Sequence, residues 1–120
     1  MSKRTLILGA TENTSRYSNV ALRKLIFKKN EVFAIGNKKG KVLDVVIEKE
    51  KILFQNIDTV TLYLNPQRQK EYYKYVLDLQ PRRVIFNPGT ENNEFENLLL
   101  KNGVEVEVAC TLVLLSLEEY

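Results

Sequence analysis

Residues 5–17 have the sequence TLILGATENTSRY. Thr5 to Leu8 form a short apolar, partly β-branched run, which is typical of a strand buried on both faces. Gly9 follows directly, where a chain that leaves a central strand needs a tight turn. A polar stretch comes next, and an amphipathic helix is predicted from about Ser18 to Lys29. Together these segments predict the first βα unit of a nucleotide-binding α/β sheet, in which the helix N-terminus suits an anion such as phosphate.

The turn after this strand is not the dinucleotide fingerprint. G-x-G-x-x-G would need glycine at positions 11 and 14, where the chain has Thr11 and Thr14. Thr11 supplies a hydroxyl instead, together with a Cβ that prevents close approach of the backbone to a pyrophosphate. Plain strand-to-helix turns without a ligand are also common in α/β proteins. The turn alone therefore leaves both interpretations open.

Size and charge point to one ordinary domain. The 120 residues, taken as a single domain over 1–120, are 44% hydrophobic and 28% charged, with a net charge of +3. Lysine and arginine are interspersed with acids, so no basic tract or aromatic RNA-binding pattern is present. The sequence has no signal peptide and no apolar run long enough to span a bilayer. We therefore expect a cytoplasmic domain that binds neither nucleic acid nor membrane.

The chain is poor in residues that carry chemistry. It has one cysteine, Cys110, and no histidine, so an internal disulfide and a Cys/His zinc site are excluded, and we expect no metal site. Cys110 is the one candidate nucleophile, although a free cysteine is more often buried and inert. No nucleophile–base pair, G-x-S-x-G elbow or P-loop is present. These absences favour a binding module over an enzyme and leave no residue predicted as catalytic.

Strands and helices alternate along the rest of the chain. A helix is predicted from the N-cap Asn65 and Pro66 to about Leu79, a second around Phe95 to Leu99, and a short helix or extended tail over 112–119. Within residues 41–58, a short extended piece is expected over Lys41–Ile47, and an irregular turn or short helix is expected around Ile52-Leu53-Phe54 and Ile57. Further strands are predicted over Glu31–Ile35, Asp58–Leu64, Arg83–Phe86 and Val104–Val108. This order predicts an α/β, Rossmann-like three-layer sandwich: a mostly parallel five-stranded sheet with helices on both faces.

Four polar corners follow predicted strands. Because the carboxyl ends of parallel strands meet at one edge, where ligands bind near the switch in strand order, we expect these corners to form a site. Dinucleotide domains carry a ribose-binding acid after the second strand, whereas this chain has Lys38 and Lys39 there, which favours a phosphorylated ribose. The alternative interpretation, an ordinary loop whose lysines are solvated, remains open. The tyrosine stripe Tyr72 and Tyr75 is interpreted as core or subunit contact. The corners are Gly9-Ala10-Thr11, Gly36-Asn37-Lys38, Asn65-Pro66 and Asn87-Pro88-Gly89.

The order and spacing of these motifs resemble a known family. The chain is similar, from about Thr5 to Cys110, to the small CoA-binding domain proteins, single-domain relatives of the nucleotide-binding domain in the α-subunit of succinyl-CoA synthetase. Thr11 and Tyr17 stand where that family usually has serine and proline, and Leu64-Asn65 stands where it often has an arginine pair. The resemblance is carried by Leu8-Gly9-Ala10-Thr11, Ser15-Arg16-Tyr17-Ser18, Val32-Phe33-Ala34-Ile35, Asn65-Pro66, Asn87-Pro88-Gly89 with Glu91, and Cys110.

The resemblance implies a Rossmann-like domain that binds CoA or an acyl-CoA. It implies that Gly9 makes the tight turn, that Thr11 contacts a phosphate, and that Ser15 and Arg16 follow along the pyrophosphate. Asn87-Pro88-Gly89 would line the far side of the edge, toward the pantetheine. The implied partner is a small nucleotide ligand, and a homodimer is possible.

Two other classes remain open. One is an NAD(P)-dependent oxidoreductase or sensor, against which the altered glycine pattern and the missing ribose acid count. The other is a structural or regulatory subunit whose Rossmann-like fold holds no ligand.

Overall fold

The computed structural model describes residues 2–120 of the chain. The chain alternates between strands and helices from its first strand onward. The elements are β1 (Thr5–Leu8), α1 (Tyr17–Phe27), β2 (Val32–Ile35), β3 (Gly40–Val42), β4 (Val45–Glu48), β5 (Thr59–Leu62), α2 (Pro66–Gln69), a 3₁₀ turn (Lys70–Tyr72), α3 (Tyr73–Leu79), β6 (Arg83–Phe86), α4 (Asn93–Lys101), β7 (Glu105–Val108) and α5 (Thr111–Ser116).

The seven strands of the described residues lie in one sheet with the order β3-β4-β2-β1-β5-β6-β7. Every neighbouring pair is parallel except β3 and β4. The α/β class and the mostly parallel sheet are thus confirmed, but the predicted strand number is wrong, because the sheet has seven strands and not five. After β1 the chain builds outward on one side through β2, and β5 then begins the other side. The switch in strand order therefore lies at β1.

The two additional strands, β3 and β4, form a hairpin over residues 40–48, most of which falls in the stretch 41–58 that lacks a clear sequence pattern. Its turn is Leu43-Asp44, and Leu43 adopts a positive φ of 54°. Hairpin turns of this length usually contain Asn-Gly or Asp-Gly, since leucine pays a steric penalty in the left-handed region. The turn signal is therefore absent from the sequence, and the pairing of β4 with β2 holds the hairpin in place.

The sheet is covered on both faces, as expected. On one face Ile7 and its neighbours pack against α1 and α5; on the other, Leu6 and Leu8 pack against α3 and α4. All four residues of β1 are buried, which confirms the doubly buried strand. Each fully buried leucine or isoleucine stabilises the fold by about 1.5–3 kcal/mol.

The predicted helix after β5 is interrupted. Asn65 caps α2 as expected, because its Oδ1 accepts a hydrogen bond of 2.9 Å from the Arg68 N–H, and Pro66 is the first helical residue. The segment then tightens to a 3₁₀ turn before α3. Tyr72 and Tyr75 are buried in the core, which confirms the interpretation of the tyrosine stripe.

Within residues 2–120, no helix has the length and apolar character needed to cross a membrane. Over the same range, no three histidine, cysteine or acidic side chains are grouped so that they could hold a metal ion.

Candidate functional site

A cleft of about 420 Å³ opens at the carboxyl edge of the sheet, where the strand order switches. We call it the main cleft. Its walls are the loop after β1 (residues 9–16), the loop after β2 (residues 36–39) and the segment from Tyr63 to Tyr72. Clefts of several hundred Å³ at such switch points are the usual ligand sites of open parallel sheets.

Gly9 makes the turn out of β1. Its φ is +97°, a conformation that side-chain-bearing residues rarely adopt. A Cβ at this position would also lie 2.9 Å from the backbone carbon and oxygen of Tyr63. The Gly9 N–H donates to the Ile35 carbonyl oxygen at 2.9 Å, so it belongs to the fold and is not offered to a ligand. Gly9 therefore lets the first loop pass tightly over β5.

The loop after β1 is braced from within. The Asn13 side-chain oxygen accepts hydrogen bonds from both the N–H and the hydroxyl of Ser15, at 3.0 and 2.7 Å. The buried Asn19 amide donates to the Thr11 carbonyl oxygen at 2.9 Å. The Asn19 N–H donates to the Arg16 carbonyl oxygen at 3.1 Å, and no side chain within residues 2–120 caps α1, so the Tyr17 and Ser18 N–H groups stay available to an anion. Sequence reasoning missed Asn19, which lies within an otherwise ordinary helical stripe.

Four cationic side chains line the main cleft: Arg16, Lys38, Lys39 and Arg68. Among residues 2–120 none of them lies within ion-pair distance of an acid. The Arg68 guanidinium donates a hydrogen bond to the Asn37 side-chain oxygen and so spans the cleft from α2 to the loop after β2. Clustered, unpaired cations in a concave site favour an anionic ligand.

Arg68 was not predicted as a site residue. The resemblance directed attention to residues before Pro66, whereas the arginine comes two residues after it. Arg68 lies in the first turn of a helix that follows a strand at the sheet edge, and this position is the signal that could have revealed it.

One acid, Glu12, also lines the main cleft. Its Oε2 accepts a hydrogen bond of 2.9 Å from the Lys41 N–H, which ties the first loop to the start of β3. A Cβ on Gly40 would lie 2.5 Å from the Glu12 Cδ, so glycine at 40 makes room for the carboxyl group.

A second depression of about 310 Å³ adjoins the main cleft, and we call it the side groove. The two share Gly9, Arg16, Tyr63, Leu64 and Arg68, so they form one continuous surface. Beyond the shared residues the side groove is lined without further charges, by Tyr17, Ser18, Asn65, Pro88, Gly89 and Thr90.

Tyr63 lies under the junction of the two depressions. Its hydroxyl is buried beside Thr61 and Thr111 without a well-aligned hydrogen-bond partner in residues 2–120. Burial raises the pKa of this phenol far above its ordinary value, so the hydroxyl stays protonated. The half-buried Cys110 precedes α5 and lines neither depression.

Asn87 has an internal role. Its side-chain amide donates to the Thr61 hydroxyl at 2.7 Å and to the Leu62 carbonyl oxygen at 2.8 Å, and its oxygen accepts from the Thr111 N–H at 2.8 Å. The side chain is 2% exposed and links β5, β6 and the start of α5. It therefore has no free hydrogen-bonding group to offer a ligand.

The structure brings most of the predicted site residues to one edge. Ser15, Pro66 and Asn87 line neither depression. The main cleft contains Gly9, Ala10, Thr11, Arg16, Asn37 and Lys38. The side groove contains Gly9, Arg16, Asn65, Pro88 and Gly89. Contact of any of these residues with a ligand stays a prediction.

The fold and the site define a class: an α/β domain with a cationic cleft at the carboxyl edge of a mostly parallel sheet. A family model described as CoA binding domain matches residues 3–116, and the chain belongs to that family.

Solved structures agree with this fold. A crystal structure of a protein described as uncharacterized is 49% identical, with a TM-score of 0.98, and the match covers 100% of this chain and 99% of that one. A Thermus thermophilus protein (cell-free ID.343) is 24% identical with a TM-score of 0.87, covering 99% and 91%. A hypothetical protein from Pyrococcus horikoshii OT3 is 22% identical with a TM-score of 0.83, covering 93% and 80%. No curated protein matches the chain significantly.

Proposed function

We propose that this protein is a Rossmann-like module that binds CoA or an acyl-CoA at the carboxyl edge of its sheet, with no chemistry of its own. The observation that carries the proposal is the main cleft, which presents four cations at the switch in strand order, none of them in an ion pair within residues 2–120. Membership of the CoA-binding domain family supports the same ligand.

The two-part shape of the site matches the two-part chemistry of CoA. The phosphates of CoA would lie against Arg16, the Thr11 hydroxyl and the N-terminal N–H groups of α1, where helix dipole and cation act together. The ribose phosphate would lie near Lys38 and Lys39. The uncharged pantetheine arm would follow the side groove toward Pro88, where no further charges line the surface.

A CoA site in this cleft also implies which kind of partner the protein binds. The ligand is a small nucleotide in the cytoplasm, and neither nucleic acid nor membrane is engaged. A bare NAD would leave the lysines of the second loop without a phosphate, which favours CoA over NAD.

CoA and acetyl-CoA are expected to raise the melting temperature of the protein, whereas NAD is not. At a ligand concentration 100 times Kd, linkage stabilises the folded state by about 2.7 kcal/mol, which shifts the melting temperature of a domain of this size by several degrees. A thermal-shift panel with CoA, acetyl-CoA, NAD, NADP and ATP measures this. Equal shifts with NAD and CoA would contradict the assignment, and no shift with any ligand would favour a subunit that holds none.

Arg16 and the second-loop lysines are expected to contact different phosphates. Arg16→Ala should weaken CoA and dephospho-CoA alike, because a guanidinium before α1 grips the pyrophosphate that both contain. Lys38→Ala combined with Lys39→Ala should weaken CoA selectively, because only CoA has the 3′-phosphate. Each lost contact should cost about 1.5–3 kcal/mol if partly desolvated, and less in open water.

Titration calorimetry of both ligands against wild type, Arg16→Ala and the double lysine variant makes the comparison. Lys74→Ala is a matched control, since Lys74 is exposed and pairs with Asp78 away from the cleft. If the double lysine variant keeps the wild-type ratio of the two affinities, the lysines belong to a solvated loop only.

A further inference from the structure

Glu12 lines the main cleft together with the loop after β2, the loop in which dinucleotide domains carry a ribose-binding acid, although Glu12 itself comes from a different loop. In those domains an acid after the second strand accepts hydrogen bonds from ribose hydroxyls. Here that loop, residues 36–39, has no acid. Glu12 comes from the loop after β1, and its carboxyl group packs against Gly40, the first residue of β3, which follows residues 36–39 directly.

The Glu12 carboxylate is exposed, and one of its two oxygens is held by a hydrogen bond while the other packs beside Gly40 without one. Oε2 accepts the hydrogen bond from the Lys41 N–H at 2.9 Å. Oε1 accepts none from residues 2–120, and the carboxylate forms no ion pair there, although Lys38 and Lys39 line the same cleft. An exposed carboxylate that is fixed by one oxygen and has no hydrogen bond at the other is a good acceptor for a hydroxyl group.

We infer that Glu12 is a specificity residue that accepts a hydrogen bond from the free hydroxyl of a monophosphorylated ribose. This inference rests on the proposed function, since CoA has one phosphorylated and one free ribose hydroxyl. Lys38 and Lys39 favour the phosphate on the ribose, and the Glu12 carboxylate accepts a hydrogen bond from the hydroxyl beside that phosphate. A ribose with both hydroxyls phosphorylated would place like charges together, and a deoxyribose would leave the carboxylate without its donor.

The test uses two nucleotides without a pantetheine arm: adenosine 3′,5′-bisphosphate and its 2′-deoxy analogue. Wild type is expected to prefer the ribo compound by about tenfold, the value of a net hydrogen bond to a charged group. In Glu12→Ala the ratio of the affinities for the ribo and the deoxy compound should fall to near one. In Glu12→Gln it should also fall, while affinity for the deoxy compound stays equal or rises, because a negative charge has left a cationic cleft.

An anchoring role alone gives a different pattern. If Glu12 only ties the first loop to β3, then Glu12→Ala and Glu12→Gln each change the affinities of both nucleotides by one common factor, and the ratio of the two affinities keeps its wild-type value. That pattern, or a wild-type preference near one, overturns the inference. Glu91→Gln serves as the control, because Glu91 accepts from the Gly89 N–H at 2.9 Å within its own loop and does not line the main cleft.

The failure of this inference is distinguishable from the failure of the proposed function. If CoA binds to wild type and the nucleotide preference does not depend on Glu12, only the role of Glu12 is wrong. If neither CoA nor either bisphosphate binds, the proposed function is wrong and the inference with it. Unliganded melting curves of the variants verify that each is folded, as expected for an exposed position.

Discussion

Gly9→Val is expected to abolish CoA binding and to destabilise the fold by about 2–6 kcal/mol, the combined cost of a strained backbone conformation and an overpacked contact. Valine at this position would have to adopt a φ of +97°, and its Cβ would lie 2.9 Å from the Tyr63 backbone. The loop after β1 must then lift away from β5, which moves Thr11 and Arg16 out of the cleft. Denaturant unfolding measures the stability, and calorimetry with CoA measures the affinity.

Gly103 offers a matched control. Its φ is +78°, but a Cβ there would meet nothing within 4 Å, and the residue does not line the cleft. Gly103→Val should therefore show only the strain, about 1–3 kcal/mol, with normal CoA affinity. If Gly9→Val does not fold, Gly9→Ala supplies the binding measurement. Wild-type affinity in a folded Gly9 variant would show that this turn is not part of the site.

Asn87→Ala is expected to give the other large effect, a loss of about 3–5 kcal/mol in the free energy of unfolding, because several buried groups lose their partner at once. The Leu62 carbonyl oxygen and the Thr111 N–H would remain buried and unpaired. A loss of this size is a large part of the stability of an ordinary domain, about 5–15 kcal/mol.

Asn102→Ala is the comparison for Asn87→Ala. Asn102 is exposed and donates one hydrogen bond, to the Leu98 carbonyl oxygen at 2.8 Å, so its loss should cost well under half as much. CoA affinity of the folded Asn87 variant, measured at low temperature, should stay close to wild type, since the side chain turns into the core. Similar costs for the two substitutions would contradict the structural role of Asn87. A selective loss of affinity would instead support ligand contact.

Much of the site was predictable because its parts are local. A buried strand, a glycine and a polar turn within a few residues place Gly9, Thr11 and Arg16 at the sheet edge, since parallel strands end on one side. The cap at Asn65 follows equally from a side chain and an N–H three residues apart.

Other features join residues far apart in the chain. Glu12 meets Lys41 across 29 residues, and Arg68 meets Asn37 across 31. Such contacts depend on where the sheet places two loops, which no local pattern encodes. Asn87 illustrates the same difficulty, because an asparagine after a strand has the same pattern whether its amide faces a ligand or the core.

The sequence by itself determined the α/β class, the central doubly buried strand, the polar corners at the carboxyl edge and the resemblance to CoA-binding domains, because periodicity, turn chemistry and capping act over short stretches. The tertiary structure alone decided the remaining features: the two extra strands, the inward turn of Asn87, the contact of Glu12 with β3 and the contact of Arg68 with the loop after β2. These features are stabilised by pairing and burial between distant segments. Such interactions outweigh a weak local preference, such as the preference of Leu43 for a negative φ, which its turn does not satisfy.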